Sequence, residues 1–135
     1  QKIEFLKSLN KVSNTVNDFN TPDQFNVWLM QTGVSAKHND TAELCVTDNY
    51  VRGCTSNVWI NGKLSSDHWL FNFYSDTTMT KGVGSILTTA LNGLTSEQVN
   101  NVTFSDFNFL ATNLTLAKKK GLQAMINHIK RIVNT

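Results

Sequence analysis

Asn57-Val58-Trp59-Ile60-Asn61-Gly62-Lys63-Leu64-Ser65-Ser66-Asp67-His68-Trp69-Leu70-Phe71-Asn72-Phe73-Tyr74 is the stretch that decides the fold class. Asn57-Val58-Trp59-Ile60 reads as a strand, and Asn61-Gly62 is a hairpin-turn dipeptide because both residues tolerate positive φ. Trp69 to Tyr74 is the returning strand. Trp69, Phe71 and Phe73 alternate with Leu70, Asn72 and Tyr74. Side chains of a strand point to opposite faces in turn, so one face is aromatic and must be buried. Upstream, Leu44, Val46 and Tyr50-Val51 read as extended, which predicts a small antiparallel sheet of about three strands.

Outward from the sheet the period changes to that of helices. Ile3, Leu6, Leu9, Val12, Val16 and Phe19 recur at three- and four-residue steps and predict an amphipathic helix over 3–19. Thr21-Pro22-Asp23-Gln24 predicts a second helix start, capped by Thr21 with Pro22 in the first turn. Phe25, Trp28 and Leu29 face inward, and Gly33 is expected to end that helix. Val34 to Asp40 reads as a polar loop. After the sheet, Met79, Val83, Ile86, Leu87, Ala90 and Leu91 form a helical stripe that stops at Asn92-Gly93. Thr95-Ser96-Glu97-Gln98 fits a capping box. A short helix is expected over 105–111 and a last one over about 117–133, with Leu122, Met125, Ile126, Ile129 and Val133 inward. Helices, an antiparallel meander, then helices make one α+β domain spanning 1–135, with no repeat or linker.

A chain of 135 residues can bury roughly two-thirds of its unfolded surface, enough to fold without a metal or disulfide. Its formal net charge of +2 is too small to imply a nucleic-acid protein, and the aromatics follow a core pattern instead of interleaving with the cations. Lys118, Lys119, Lys120, Lys130 and Arg131 concentrate near the C-terminus, as a solvated helix face or as part of a docking surface for an acidic partner. Cys45 and Cys54 form no CxxC pair, and His38, His68 and His128 have no ligand spacing, so no metal site is expected. Two cysteines do not make a disulfide scaffold, and their spacing alone cannot show that a bridge would close. Asn-x-Thr triplets begin at Asn39, Asn101 and Asn113 and matter only in a secreted chain. No apolar run is long enough to span a membrane. No signal peptide is visible at Gln1. The expected location is cytoplasmic, or a plastid or mitochondrion if a transit peptide was removed.

The chemistry concentrates in Val51-Arg52-Gly53-Cys54-Thr55-Ser56-Asn57. This segment joins two extended stretches, so Cys54 is expected at a loop tip. Gly53 permits a turn that a side chain would forbid. Thr55 and Ser56 place hydroxyls and backbone N–H groups near the sulfur, and Arg52 brings a cation that favours the thiolate, the form that attacks sulfur. Residue chemistry alone leaves two readings open: a reactive thiol, or a small buried hydrophobe, which is what free cysteine usually is. A cysteine hydrolase would need a positioned base, for which only His38 and His68 precede the last helix, neither in a hydrolase motif.

Gly53-Cys54-x-Ser56-x-Val58-Trp59 resembles the signature of the SufE/CsdE family of sulfur acceptors. Ser75-Asp76 followed by Lys81-Gly82 resembles the family's serine–acid segment opening the helix after the sheet. Asn92-Gly93-x-Thr95-x-Glu97 resembles its next turn, and Leu114-Thr115 with Gly121-Leu122-x-Ala124-Met125 the start of its last helix. The four blocks keep the family's order and spacing over roughly 20–133. The chain departs from the pattern in having Ala117-Lys118 for the usual Ser-Arg, Tyr74 for the first of two acids, no Leu-Pro-Pro segment, and no Arg-Tyr pair around Phe25 to Trp28.

The resemblance implies that Cys54 accepts persulfide sulfur from a pyridoxal-phosphate-dependent cysteine desulfurase, activates that enzyme, and passes the sulfur to iron–sulfur scaffold proteins. It implies a carrier without independent turnover and without a resident cofactor, the persulfide on Cys54 being transient. Asp76 and Lys118 are carried over by position as polar neighbours of the loop; without that role Asp76 is a helix cap and Lys118 a solvated lysine. An apolar pocket formed by Val58, Trp59 and the aromatic strand is expected to shelter a partly buried Cys54. The expected assembly is a monomer or weak dimer, without nucleic acid or membrane. The alternative is a SufE-fold protein that binds or regulates a desulfurase without carrying sulfur.

Overall fold

The computed structural model describes residues 2–36 and 41–135; His38 and the first two residues of the triplet beginning at Asn39 lie outside them. Among the described residues the order is α1 (Lys2–Asn17), α2 (Pro22–Ser35), α3 (Thr41–Leu44), β1 (Val58–Ser65), β2 (His68–Ser75), α4 (Thr78–Leu91), α5 (Ser96–Asn101), α6 (Asn108–Ala111) and α7 (Leu116–Val133), with short 3-10 turns at Thr47–Asn49 and Phe104–Phe107. The architecture is α+β, with two antiparallel strands packed against helices.

Caps start the helices where the sequence places them. Thr21 and Gln24 form a reciprocal capping box at α2, and Thr95 and Gln98 do so at α5. Each box satisfies backbone N–H groups that a helix leaves without partners. Thr115 caps α7 by accepting from Lys118 N. Trp69, Phe71 and Phe73 are buried while Leu70 is exposed, as alternation requires. Their face meets α4, and α7 packs along β1.

Three expectations change. The hairpin turns at Ser66-Asp67, with φ of 50° and 67°, and not at Asn61-Gly62. The ladder fixes this, because Ile60 lies opposite Phe73 and Trp59 opposite Tyr74. A two-residue turn at 61–62 would put Ile60 opposite Lys63 and strip the aromatic run of its partner strand. Gly62 is instead mid-strand, where a Cβ would crowd the Phe71 ring at 2.9 Å and Ile132 at 3.0 Å. Second, the expected third strand shrinks to an isolated bridge between Tyr50 and Trp59. Leu44 belongs to α3, and Thr47–Asn49 makes a 3-10 turn whose Asn49 Nδ2 donates to Leu44 O. Third, α2 runs through Gly33 to Ser35. Gly33 is buried because α2 crosses α4 there: a Cβ on it would collide with Thr78 O, and one on Gly82 with Leu29 O.

The outer edge of β1 is closed from two sides. Val51 N donates to Val58 O at 2.8 Å. Two residues along, where the carbonyl points the same way, Ile60 O lies 3.0 Å from His128 Nε2. A carbonyl only accepts, so Nε2 carries the proton. Burial holds the His128 pKa below its ordinary value, the Ile60 hydrogen bond opposes that shift, and the Arg131 charge adds to it.

Two outcomes follow from this packing. Gly82→Ala is expected to destabilise the protein by about 1–3 kcal/mol, the cost of overpacking, read as a lower urea midpoint at unchanged slope. For His128, the unfolded chain titrates near ~6.5 and the native state lower. Between the two values the unfolded state binds more protons, so this contribution is complete above the unfolded pKa and is lost as pH falls towards the native one. Urea midpoints followed downward from neutral pH should fall more steeply for the natural protein than for His128→Gln.

Candidate functional site

The loop Arg52–Asn57 leaves and re-enters the fold at adjacent points. Its base is pinned by Val51 N to Val58 O. Tyr50 Oη and Asn57 Oδ1 join across it at 2.8 Å. Asp76 accepts from Asn57 N at 3.1 Å and from Asn57 Nδ2 at 2.9 Å. Asp76 thus braces the loop and does not cap α4, whose N-cap is Thr77. Gly53 has φ +98°, a conformation that side chains rarely adopt, and packs against Ala124 of α7. It turns Cys54 inward onto the start of α7.

Cys54 is half-buried. Its thiol lies 3.5 Å from Gly121 O. The carbonyl is an acceptor, so only the protonated sulfur can use this contact. A small cavity of about 10 Å³ opens beside it. That is space for about one water-sized atom. Thr55 and Ser56 line it from the loop, and Thr80 and Val83 from α4. Ala117, Lys118, Gly121 and Met125 line it from α7. The expected pocket walls, Val58 and Trp59, lie elsewhere: Val58 is buried in the core, and Trp59 packs against Tyr50 and Tyr74 at 5.7 and 6.2 Å. Shelter comes from two helices, because the loop folds back onto them instead of onto the sheet.

Burial pushes the Cys54 pKa up, and the Lys118 charge opposes the shift without cancelling it. Taking a thiolate out of water outweighs one cation reached across a partly solvated cavity. Lys118 is thus the cation whose field reaches the sulfur; Arg52 is exposed and is not among the lining residues. The rest of the basic run is elsewhere. Ala117, Lys118, Gly121 and Met125 share one face of α7, whereas Lys119 and Lys120 lie on others. Lys130 and Arg131, about three turns on, repeat those other faces. The C-terminal cations therefore do not form one patch at the cavity.

Hydroxyls complete the polar wall. Ser56 Oγ and Thr77 Oγ1 are 2.8 Å apart. Thr77 Oγ1 donates to Thr80 Oγ1 at 2.9 Å, and Thr80 Oγ1 donates to Ser56 Oγ at 3.1 Å. Lys118 Nζ donates to Thr80 Oγ1 at 3.4 Å. Sequence reading singled out Ser56 and Lys118 but missed Thr77 and Thr80. The available signal was two threonines three residues apart in the first turn of a helix, one helical step that puts both on one side.

No histidine lines the cavity among the described residues; His68 sits at the hairpin turn, its Nδ1 2.7 Å from Ser66 O. Cys45 and Cys54 are both free thiols.

The helix-clad hairpin agrees with both a family match and a fold match. The family described as SufE, Fe-S metabolism associated domain, matches residues 10–133. The chain belongs to the SufE family, and this domain ties it to iron–sulfur metabolism. A hypothetical protein from Thermus thermophilus, solved in solution, has a similar fold, with a TM-score of 0.75 and 15% identity over 94% of this chain and 93% of that one. At that identity the likeness is one of fold alone. Among the described residues no helix is long and apolar enough to cross a membrane.

Lys118→Met should move the Cys54 titration to higher pH, because it removes the opposing cation and leaves the burial. Alkylation by iodoacetamide, followed across pH in the free protein, should be several-fold slower near neutrality and converge on the natural rate at high pH.

Proposed function

We propose that this protein is a sulfur acceptor that takes persulfide sulfur from a pyridoxal-phosphate-dependent cysteine desulfurase onto Cys54, activates that enzyme, and yields the sulfur to an iron–sulfur scaffold. The observation that carries this reading is the void of about 10 Å³ against the Cys54 thiol. It offers one additional atom a place beside the sulfur, among an ammonium, hydroxyls and apolar side chains. Membership of the SufE family supports the same reading.

The step is an exchange between sulfurs. The Cys54 thiolate attacks the outer sulfur of the partner's persulfide, a Cys54 S–S bond forms, the partner's S–S bond breaks, and the partner's thiolate leaves. The Cys54 proton passes to solvent or to the departing thiolate, and no net oxidation occurs. No thiolate is required at rest. A protonated, sheltered Cys54 is slow to react with stray disulfides or oxidants, since the thiolate is the reactive form. Docking must then draw the loop outward, turning about Gly53 while Asp76 and Asn57 hold its base. The pyridoxal phosphate chemistry stays with the desulfurase, so this chain acts as carrier and activator without turnover of its own.

Incubation with such a desulfurase and cysteine, followed by intact mass measurement, should show the gain of one sulfur atom. The gain should be reversed by a thiol reductant, kept in Cys45→Ser and lost in Cys54→Ser. A chain that binds the desulfurase and changes its rate while Cys54 never gains sulfur would instead be a regulator on the same fold.

A further inference from the structure

We propose that Thr80 is a positioning residue for the Cys54 site: its hydroxyl, oriented by Ser56 and Thr77, holds the Lys118 ammonium over the cavity. A threonine hydroxyl has one proton and two lone pairs. The Thr80 proton goes to Ser56 Oγ at 3.1 Å. One lone pair receives the Thr77 proton at 2.9 Å. What remains is a single lone pair, and Lys118 Nζ is 3.4 Å from that oxygen. With Ser56 and Thr77 2.8 Å apart, the ring closes with Thr77 receiving the Ser56 proton. Each hydroxyl then donates once and accepts once inside the ring, and the second lone pair of Thr80 is left for Lys118.

The physical need for such an anchor is plain. Lysine carries its charge on a flexible stem and loses much side-chain entropy when fixed. Among the residues lining the cavity Lys118 carries the only charge. From the loop the other groups are hydroxyls, and from α4 and α7 they are Thr80 and apolar or glycine positions. The next cation on α4, Lys81, is turned to the Tyr74 ring, 5.1 Å from its centroid. Asp76 is engaged with Asn57. Fixing one ammonium therefore sets the charge that the sulfur meets. Ser56 adds a second consequence: it lies two residues after Cys54 on the same loop, so the ring connects the position of the loop to that of the cation.

This deepens the sulfur-acceptor reading and rests on it for its purpose, but its test reads the thiol itself and needs no desulfurase. Thr80→Val keeps the shape and removes the hydroxyl; Thr80→Ser restores the hydroxyl without the methyl. Alkylation rates of Cys54 by iodoacetamide, measured across pH, separate the midpoint from the high-pH plateau. Thr80→Val should move the midpoint to higher pH and slow alkylation several-fold near neutrality, and Thr80→Ser should return the midpoint to that of the natural protein. In a Lys118→Met background Thr80→Val should shift nothing further. A packing defect would change the plateau through access to the sulfur and would persist without Lys118. An unchanged midpoint in Thr80→Val, or an equal shift in the Lys118→Met background, would overturn the assignment. Failure of sulfur transfer with these midpoints as expected would count against the acceptor function and leave Thr80's role standing.

Discussion

The close crossing of α2 and α4 is the constraint on which the rest of the molecule depends. Gly33 and Gly82 let backbone meet backbone, and Gly84 lets the Phe73 ring lie against the same helix from the other side, where a Cβ would come within 2.6 Å of it. Helix α4 is thereby held between α2 and the aromatic face of the hairpin, close to both. Such contacts leave little room for adjustment, because protein interiors are packed at the density of organic crystals. The first turns of α4 carry Thr80 and Val83, so the cavity wall inherits its position from these glycine contacts.

The thiol is set by a balance between the same elements. Seating Cys54 between α4 and α7 removes it from water and raises its pKa; Lys118, from α7, reduces that penalty. Gly121 adds an acceptor that a neutral thiol can use. The outcome is a sulfur kept protonated in the isolated chain. Under the proposed function, reactivity would then depend on what the desulfurase supplies when it draws the loop out.

Much of this was legible in the residues. Caps at Thr21 and Thr95 and the alternation of Trp69, Phe71 and Phe73 are local signals, and local chemistry decided them. The α+β class and the loop position of Cys54 followed from those. Three features were not legible for one shared reason, namely that each depends on a neighbour distant in sequence. Asn61-Gly62 has ideal turn chemistry, yet pairing Ile60 with Phe73 overrode it. Gly33 has the chemistry of a helix end, yet a second helix needed its missing side chain. Thr77 and Thr80 look like ordinary helix-start residues until Ser56 and Lys118 arrive from elsewhere in the chain. The expected Arg52 cation failed in the same way: adjacency in sequence put it near the sulfur, while the turn at Gly53 left it exposed.

The size of the void beside Cys54 carries a consequence of counting. A carrier with an open groove could accumulate chains of sulfur, since every persulfide end can itself accept another atom. Here the sheltered space beside the thiol is about 10 Å³, so one added sulfur fills it and a longer chain would extend beyond it. Under the proposed function, the walls would favour a single sulfur over a longer chain, since only the first added atom gains their shelter.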